Sequence, residues 1–187
     1  MIAGCFPDDV VMAHFFSSIW QGPWFNAGDW PTELPRPSAS QWQWLTEPGS
    51  LTARLKAQPG QFSLDVIQQT TQRFPTGLLS QWGEQSGLLR EITMSLDGQA
   101  CVFAQSFLPS STIEAFAPLA SLGKIPLGEF IFQQPELKRY FLEVAWFEQL
   151  ALTTQWTAYG VFARRSLYAL GRHQFLVQEV FLREMPS

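Results

Sequence analysis

The sequence predicts an α+β domain built on a single antiparallel β-sheet. Asp97-Gly98 separates two runs of strand-forming residues and is a strong two-residue hairpin signal. A second pair of such runs flanks Gly171-Arg172. Segments with helical periodicity lie among these hairpins, and this arrangement favours an antiparallel α+β domain over a wound parallel sheet.

The first 40 residues form a segment rich in proline and tryptophan. Asp9 to Trp20 has a helical pattern, whereas the proline-rich stretch after Trp30 is expected to be extended or turn-like. We therefore divide the chain into an N-terminal extension, residues 1–40, packed on a domain formed by residues 41–187. The alternative role for these aromatic residues is contact with another protein or a membrane.

The remaining elements follow from caps and periodicity. Ser50 caps a short helix that begins at Leu51, and the alternation of Phe62, Leu64 and Val66 predicts a strand. Helical patterns cover residues 112–122 and 135–152. The two hairpins are formed by four strands: Leu88–Leu96, Ala100–Leu108, Val161–Leu170 and Gln174–Leu182.

Composition excludes several classes of function. The 187 residues carry a net charge of −4 with a pI near 5.1, which argues against a nucleic-acid partner but permits a local pocket for an anionic small molecule. The N-terminus does not read as a signal peptide, and no apolar run approaches the ~18 residues of a membrane span. Cys5 and Cys101 lack a CxxC spacing, so reduced thiols in a cytoplasmic protein are expected, with a disulfide as the alternative.

Two charged residues interrupt apolar strand faces. Glu179 shares its parity with Phe175, Val177 and Phe181, so its carboxylate is expected to point into the interior. Arg90 shares the parity of the apolar residues in its own strand. A buried charge is costly unless it is paired or used, so Arg90 and Glu179 are the first candidates for a functional site.

Two-residue turns predict which residues face each other across the hairpins. A turn at Gly171-Arg172 places Arg164 opposite Glu179, and a turn at Asp97-Gly98 places Arg90 opposite Gln105. Arg90 then has no internal carboxylate partner and suits an anionic ligand. The alternative is a purely structural buried network, for example between Glu179 and Arg164.

Common catalytic motifs do not occur in the chain. HExxH, P-loop, GxGxxG and GxSxG patterns are missing, as is a zinc-like cysteine grouping. His14 lies in an apolar helical pattern and His173 abuts a predicted turn, so both are expected to be structural. No metal or other cofactor is therefore predicted.

Five short stretches, in order between about Trp44 and Leu182, resemble the chorismate lyase (chorismate–pyruvate lyase) family. They are Glu47-Pro-Gly-Ser-Leu-Thr-Ala-Arg-Leu, Leu89-Arg-Glu-Ile with Asp97-Gly98, Leu122-Gly-Lys-Ile-Pro-Leu-Gly, Ala163-Arg-Arg-Ser and Gln178-Glu-Val-Phe-Leu. The resemblance implies one antiparallel sheet with helical flaps that enclose a buried aromatic acid. It also implies conversion of chorismate to 4-hydroxybenzoate and pyruvate, on the route to ubiquinone, without a cofactor.

The resemblance also implies roles for individual residues. Arg90 would bind the ring carboxylate, Glu179 would contact the 4-hydroxyl side, and Leu51 and Leu127 would make backbone contacts with the ligand. The family often has Met at the position of Leu51 and Arg at that of Gln105. With Gln105 placed beside Arg90, one positive charge near the ligand carboxylate would be missing.

A binding module is the competing class. Effector domains of some bacterial transcription regulators resemble chorismate lyase in fold and bind small acids without chemistry, but they normally follow a DNA-binding helix-turn-helix. Residues 1–40 are too rich in Pro and Trp, and too acidic, to provide one. The enzyme is therefore the favoured interpretation, with a small-molecule substrate and a monomeric protein expected. A catalytically inactive aromatic-acid carrier is a third possibility.

Overall fold

The computed structural model describes residues 22–74, 86–153 and 155–186. Its centre is one seven-stranded sheet in which every neighbouring pair of strands is antiparallel, in the order β1-β5-β6-β7-β4-β3-β2. The strands are β1 Phe25–Asn26, β2 Phe62–Arg73, β3 Ser86–Leu96, β4 Gln99–Pro109, β5 Leu137–Thr153, β6 Trp156–Leu170 and β7 His173–Phe181. The predicted α+β class with a single antiparallel sheet is confirmed.

Among the described residues, four short α-helices accompany the sheet: α1 Ala39–Leu45, α2 Leu51–Lys56, α3 Ser110–Ala115 and α4 Leu127–Ile131. The same ranges contain 3-10 helices at Ala27–Asp29 and Ala117–Ser121. The predicted cap of α2 is confirmed, because the Ser50 side chain accepts a hydrogen bond from the backbone N–H of Ala53 at 3.2 Å.

The helix predicted over residues 112–122 is only partly correct. The α-helix α3 ends at Ala115, and a 3-10 helix with Pro118 in its first turn follows it. Proline has no N–H to donate to the preceding turn and disfavours the α conformation at the residue before it. One continuous α-helix therefore cannot pass through this segment.

The helix predicted over residues 135–152 is wrong, because this segment is strand β5. Leu137, Phe141, Val144 and Ala145 match a helical stripe by accident of spacing. In the structure Val144 and Ala145 are both fully buried although they point to opposite faces of the sheet. A strand with both faces covered loses its polar alternation, and period alone then cannot distinguish it from a buried helix.

Both hairpin turns lie where they were predicted, but the two registers have different outcomes. Leu170 pairs with His173, so Arg164 faces Glu179 as expected. Asp97 and Gly98 have positive φ angles of 50° and 74°, as a two-residue turn requires. The register of that hairpin nevertheless shifts between Met94 and Ser95, which is a β-bulge.

The bulge moves the partner of Arg90 by one residue. Arg90 pairs with Ser106, and Gln105 pairs with Glu91 instead. The predicted pairing of Arg90 with Gln105 is therefore wrong. Since side chains alternate along a strand, Gln105 also points to the opposite face of the sheet from Arg90.

The two faces of the sheet bury different sets of residues. The front face, which carries Arg90 and Glu179, packs against α1, α2 and α4, with Trp44, Leu55 and Ile131 among the buried apolar side chains. The far face buries separate clusters that include Phe103 and Phe107. Apolar burial of this extent is the main stabilising contribution to the fold.

The described part of the N-terminal extension lies against the sheet. The Trp30 ring meets the rings of Trp42 and Phe162, each at a centroid distance of 6.0 Å, and β1 pairs with β5. The helix predicted for Asp9 to Trp20 lies outside the described residues, as do Cys5 and His14. None of the described helices is long and apolar enough to cross a membrane.

Candidate active site

A small cavity lies between the front face of the sheet and helices α2 and α4, here called the flap helices. Its walls are formed by the flap helices with Ser50 and Phe132 at their ends, and by Ile92, Met94, Ala104, Ser106, Arg164, Tyr168, Val177 and Glu179 of the sheet. The cavity volume is about 40 Å³. The flap helices thus cover the part of the front face where Arg164 and Glu179 lie.

Glu179 and Arg164 form an ion pair in the wall of this cavity. Arg164 Nε donates to Glu179 Oε2 at 2.6 Å, and Arg164 Nη1 donates to the backbone oxygens of Trp44 and Glu47, each at 3.3 Å. Burial is the largest single influence on the pKa of Arg164 and would lower it, but the charge and hydrogen bond of Glu179, together with Tyr168 and Glu47, raise that pKa overall. Glu179 lines the cavity, and its Oε1 accepts no hydrogen bond from the described residues.

Arg90 is buried beside the cavity rather than in its wall. The residue is 1% exposed, and it is not among the lining residues, although its ladder partner Ser106 is one of them. Its guanidinium donates to Gln69 Oε1 at 2.7 Å and to the backbone oxygens of Gly123 and Ile125 at 2.8 and 3.1 Å. Its Nε is buried without a hydrogen-bond partner.

The charge of Arg90 lacks a counter-ion in the described part of the chain. Its three acceptors are neutral, and burial lowers the pKa of its guanidinium below the ordinary value. An arginine remains charged even so, and an uncompensated buried charge destabilises the protein. An anionic ligand beside Arg90 would relieve this cost.

Leu51 and Leu127 are each the first residue of a flap helix, and both line the cavity. The first backbone N–H groups of a helix have no partner within that helix. Ser50 satisfies the N–H of Ala53, not that of Leu51, and Pro126 makes no side-chain cap for α4. The structure therefore places both leucines where their N–H groups could donate to a ligand.

Gln105 lies on the far face of the sheet and takes no part in this site. Its Nε2 donates to Glu91 Oε1 at 2.5 Å, and both residues are buried. Burial raises the pKa of Glu91, and the hydrogen bond from Gln105 only partly offsets this. The expectation that Gln105 leaves a positive charge missing beside Arg90 is therefore wrong.

Tyr168 and Arg139 belong to the site region but were not found from the sequence. Tyr168 lines the cavity, and its hydroxyl oxygen accepts hydrogen bonds from Arg139 Nε at 3.1 Å and Nη2 at 2.7 Å. Tyr168 shares the parity of Arg164 in β6, so the pattern that selected Arg90 could also have selected it. Arg139 could not be found in this way because its segment was predicted as a helix.

The other candidate residues lie away from the cavity. His173 begins β7 and meets the ring of Phe116 at a centroid distance of 5.7 Å, while Cys101 is buried at the bulge. Across the described ranges, no three His, Cys, Asp or Glu side chains lie close enough together to hold a metal ion.

The single antiparallel sheet with its covering helices also occurs in other proteins of known structure. Solved structures with the same fold include the ligand-binding domain of a Bordetella bronchiseptica protein described as a GntR-family transcriptional regulator, with a TM-score of 0.50 and 10% identity over 70% of this chain and 92% of that one. A second chain described as a GntR-family regulator has a TM-score of 0.53 and 11% identity over 96% of this chain and 78% of that one. The chain thus shares an α+β fold with one antiparallel sheet with these regulator domains.

Similarity of sequence identifies the family to which the chain belongs. The chorismate lyase family model matches residues 24–186. A "Probable chorismate pyruvate-lyase" of Pseudoalteromonas translucida is 37% identical over 155 residues, 78% of this chain and 85% of the relative. One from Aromatoleum aromaticum is 33% identical over 168 residues, 82% and 91% of the two chains. The chain belongs to the chorismate lyase family, a family of enzymes, and the match begins within the segment that we assign to the N-terminal extension.

Proposed function

We propose that this protein converts chorismate to 4-hydroxybenzoate and pyruvate and serves the route to ubiquinone. The observation that carries the proposal is the buried guanidinium of Arg90, which has no described counter-ion and lies on the same sheet face as Glu179. Family membership and the names of the relatives support it. A site that only bound a neutral ligand would have no use for this uncompensated charge.

The reaction balances without an oxidant or a reductant. The C3–O ether bond of chorismate breaks, the C4 hydrogen leaves as a proton, and the electron pair of the C4–H bond completes the aromatic ring. The departing pyruvate enolate takes up one proton at its methylene carbon. Aromatisation supplies the driving force, so the protein has to orient the substrate, exclude water and stabilise charge.

The residues take separate parts in this proposal. Arg90 offers its guanidinium to the ring carboxylate, with the backbone N–H groups of Leu51 and Leu127 as further donors. Glu179 Oε1 faces the C4 side, where it accepts from the hydroxyl group or takes part in proton transfer. Arg164 holds Glu179 in place through a hydrogen bond to Oε2.

Two substitutions test these parts. Arg90→Ala should weaken binding of 4-hydroxybenzoate and raise KM, since a hydrogen bond to a charged group contributes about 1.5–3 kcal/mol. Glu179→Gln should lower kcat more than it weakens product binding, because the change at C4 occurs during the reaction. Steady-state kinetics and product titration of both variants measure these effects.

Thermal melts of the same variants serve as the control. A purely structural role predicts that both substitutions lower the melting temperature and that activity falls only with the folded fraction. A folded Glu179→Gln variant with wild-type kcat would remove Glu179 from the chemistry. A protein that binds 4-hydroxybenzoate through Arg90 yet never turns over chorismate would instead be a small-acid-binding module.

A further inference from the structure

The hydroxyl group of Tyr168 donates no hydrogen bond to any described residue. Both hydrogen bonds at its hydroxyl oxygen come from Arg139, which fills the two acceptor positions of that oxygen. The hydroxyl hydrogen must therefore point elsewhere, and no acceptor for it occurs among the described residues. Tyr168 is 4% exposed and lies in the wall of the cavity that also contains Glu179.

The surroundings hold this hydroxyl group in place. Arg139 Nη1 donates to Glu47 O at 3.1 Å and its Nη2 donates to Gly49 O at 3.4 Å, so the guanidinium is fixed to the loop before α2. The Tyr168 ring stacks on Phe175 at a centroid distance of 5.7 Å. The donor is thus preorganised, which limits the entropy lost when a ligand accepts from it.

Chorismate carries a second carboxylate, on its enolpyruvyl group, for which the proposed site has assigned no partner. Arg90 is assigned to the ring carboxylate and Glu179, itself anionic, to the C4 side. Arg164 reaches the same cavity from the strand of Tyr168, and no described residue accepts a hydrogen bond from its Nη2. Tyr168 and Arg164 are four residues apart on one face, roughly 13 Å between Cα atoms.

We propose that Tyr168 donates its hydroxyl hydrogen to the enolpyruvyl carboxylate, on the side of the cavity next to the Arg139 guanidinium. This inference rests on the proposed function and adds a specificity-determining residue to it. The product 4-hydroxybenzoate lacks the enolpyruvyl group. Tyr168 therefore contributes to binding of the substrate but not of the product.

The test uses two stable probes and one matched control. The probes are 3-(1-carboxyvinyloxy)benzoate, an aromatic ether with both carboxylates, and its side-chain methyl ester, which has only the ring carboxylate. In the wild-type protein, esterification should weaken binding about tenfold or more, the value of a charge-assisted hydrogen bond. We call this loss of affinity on esterification the ester penalty. In Tyr168→Phe the ester penalty should fall to about two- or threefold, and 4-hydroxybenzoate affinity should change less than twofold.

The control is Tyr159→Phe, because Tyr159 is 68% exposed and is not one of the residues that line the cavity. The ester penalty is a ratio within one protein, so a lower folded fraction of a variant does not change it. A full penalty in Tyr168→Phe, with chorismate turnover intact in the wild type, would overturn this inference alone. A wild-type protein that neither turns over chorismate nor binds either probe would overturn the proposed function and this inference together.

Discussion

At the residue scale, the neighbouring charged residues Arg90 and Glu91 of β3 lie on opposite faces of the sheet and have different surroundings. Arg90 points to the front face beside the cavity, whereas Glu91 points to the far face and has Gln105 as its hydrogen-bond partner. A neutral amide compensates a buried carboxylate poorly compared with a cation. Burial therefore raises the pKa of Glu91, and the hydrogen bond from Gln105 offsets this only in part.

The raised pKa makes the stability of the protein depend on pH. Because folded Glu91 holds its proton more tightly than the unfolded chain does, stability from this group is greatest below the ordinary glutamate pKa of about 4.3 and falls as pH rises towards the folded value. Glu91→Gln removes the titrating group. Its free energy of unfolding, relative to wild type, should therefore increase between pH 4.5 and pH 8, by about 1.4 kcal/mol for each unit of pKa difference.

Denaturant unfolding of both proteins at several pH values measures this trend. Glu114→Gln, at an exposed position of α3, is the matched control and should show no such increase. A stability difference between Glu91→Gln and wild type that stays constant across this pH range would contradict the assignment of Glu91 as the group responsible.

At the element scale, the flap helices meet at a glycine. A β-carbon on Gly128 of α4 would lie 2.8 Å from Ser50 Oγ and 3.5 Å from Thr52 Oγ1. Ser50 cannot turn away freely because its hydroxyl caps α2. Lys56 and Glu129 also form an ion pair between the two flap helices, but at this exposed position it adds little. Close approach at Gly128 is therefore the main local requirement for closure.

Gly128→Ala should hold the flap helices apart and weaken 4-hydroxybenzoate binding by about tenfold, with a small effect on the melting temperature. Adding Ser50→Gly removes the clashing hydroxyl, and glycine replaces serine as a cap at a cost of only a few tenths of a kcal/mol. The double variant should therefore recover most of the affinity. Isothermal titration with 4-hydroxybenzoate measures the affinity of the single and the double variant. Gly28→Ala is the control, because nothing lies within 4 Å of a β-carbon added at that position. Wild-type affinity in the single variant would refute the close-approach argument.

The elements also show how far sequence reasoning reached. Parity in short strands predicts that Arg90 and Glu179 each point inward, and turn chemistry pairs Arg164 with Glu179, because both signals are local. The bulge beside Cys101 has no comparable local signal, so Gln105 was assigned to the wrong face. Strand β5 was missed because its two faces are both covered. Arg139 lies on that strand, so strand parity could not select it as a candidate site residue.

At the scale of the whole molecule, the net charge of −4 and the local site have opposite signs. Arg90, Arg139 and Arg164 all lie on the front face at or beside one cavity, while Glu179 is the only carboxylate in its described lining. Net charge therefore says little about the ligand, because a local concentration of cations decides which charge the site accepts. The separate status of residues 1–40 stays a prediction.

Turnover of chorismate by the purified protein is the decisive measurement for the proposed lyase activity. The protein is incubated with chorismate, with and without EDTA, and 4-hydroxybenzoate and pyruvate are quantified separately over time. The balanced reaction predicts that both products appear in equal amounts at the same rate, unaffected by chelation, and that Glu179→Gln slows both equally. Binding of 4-hydroxybenzoate without formation of either product from chorismate, or activity lost on chelation and restored by a divalent cation, would contradict the account.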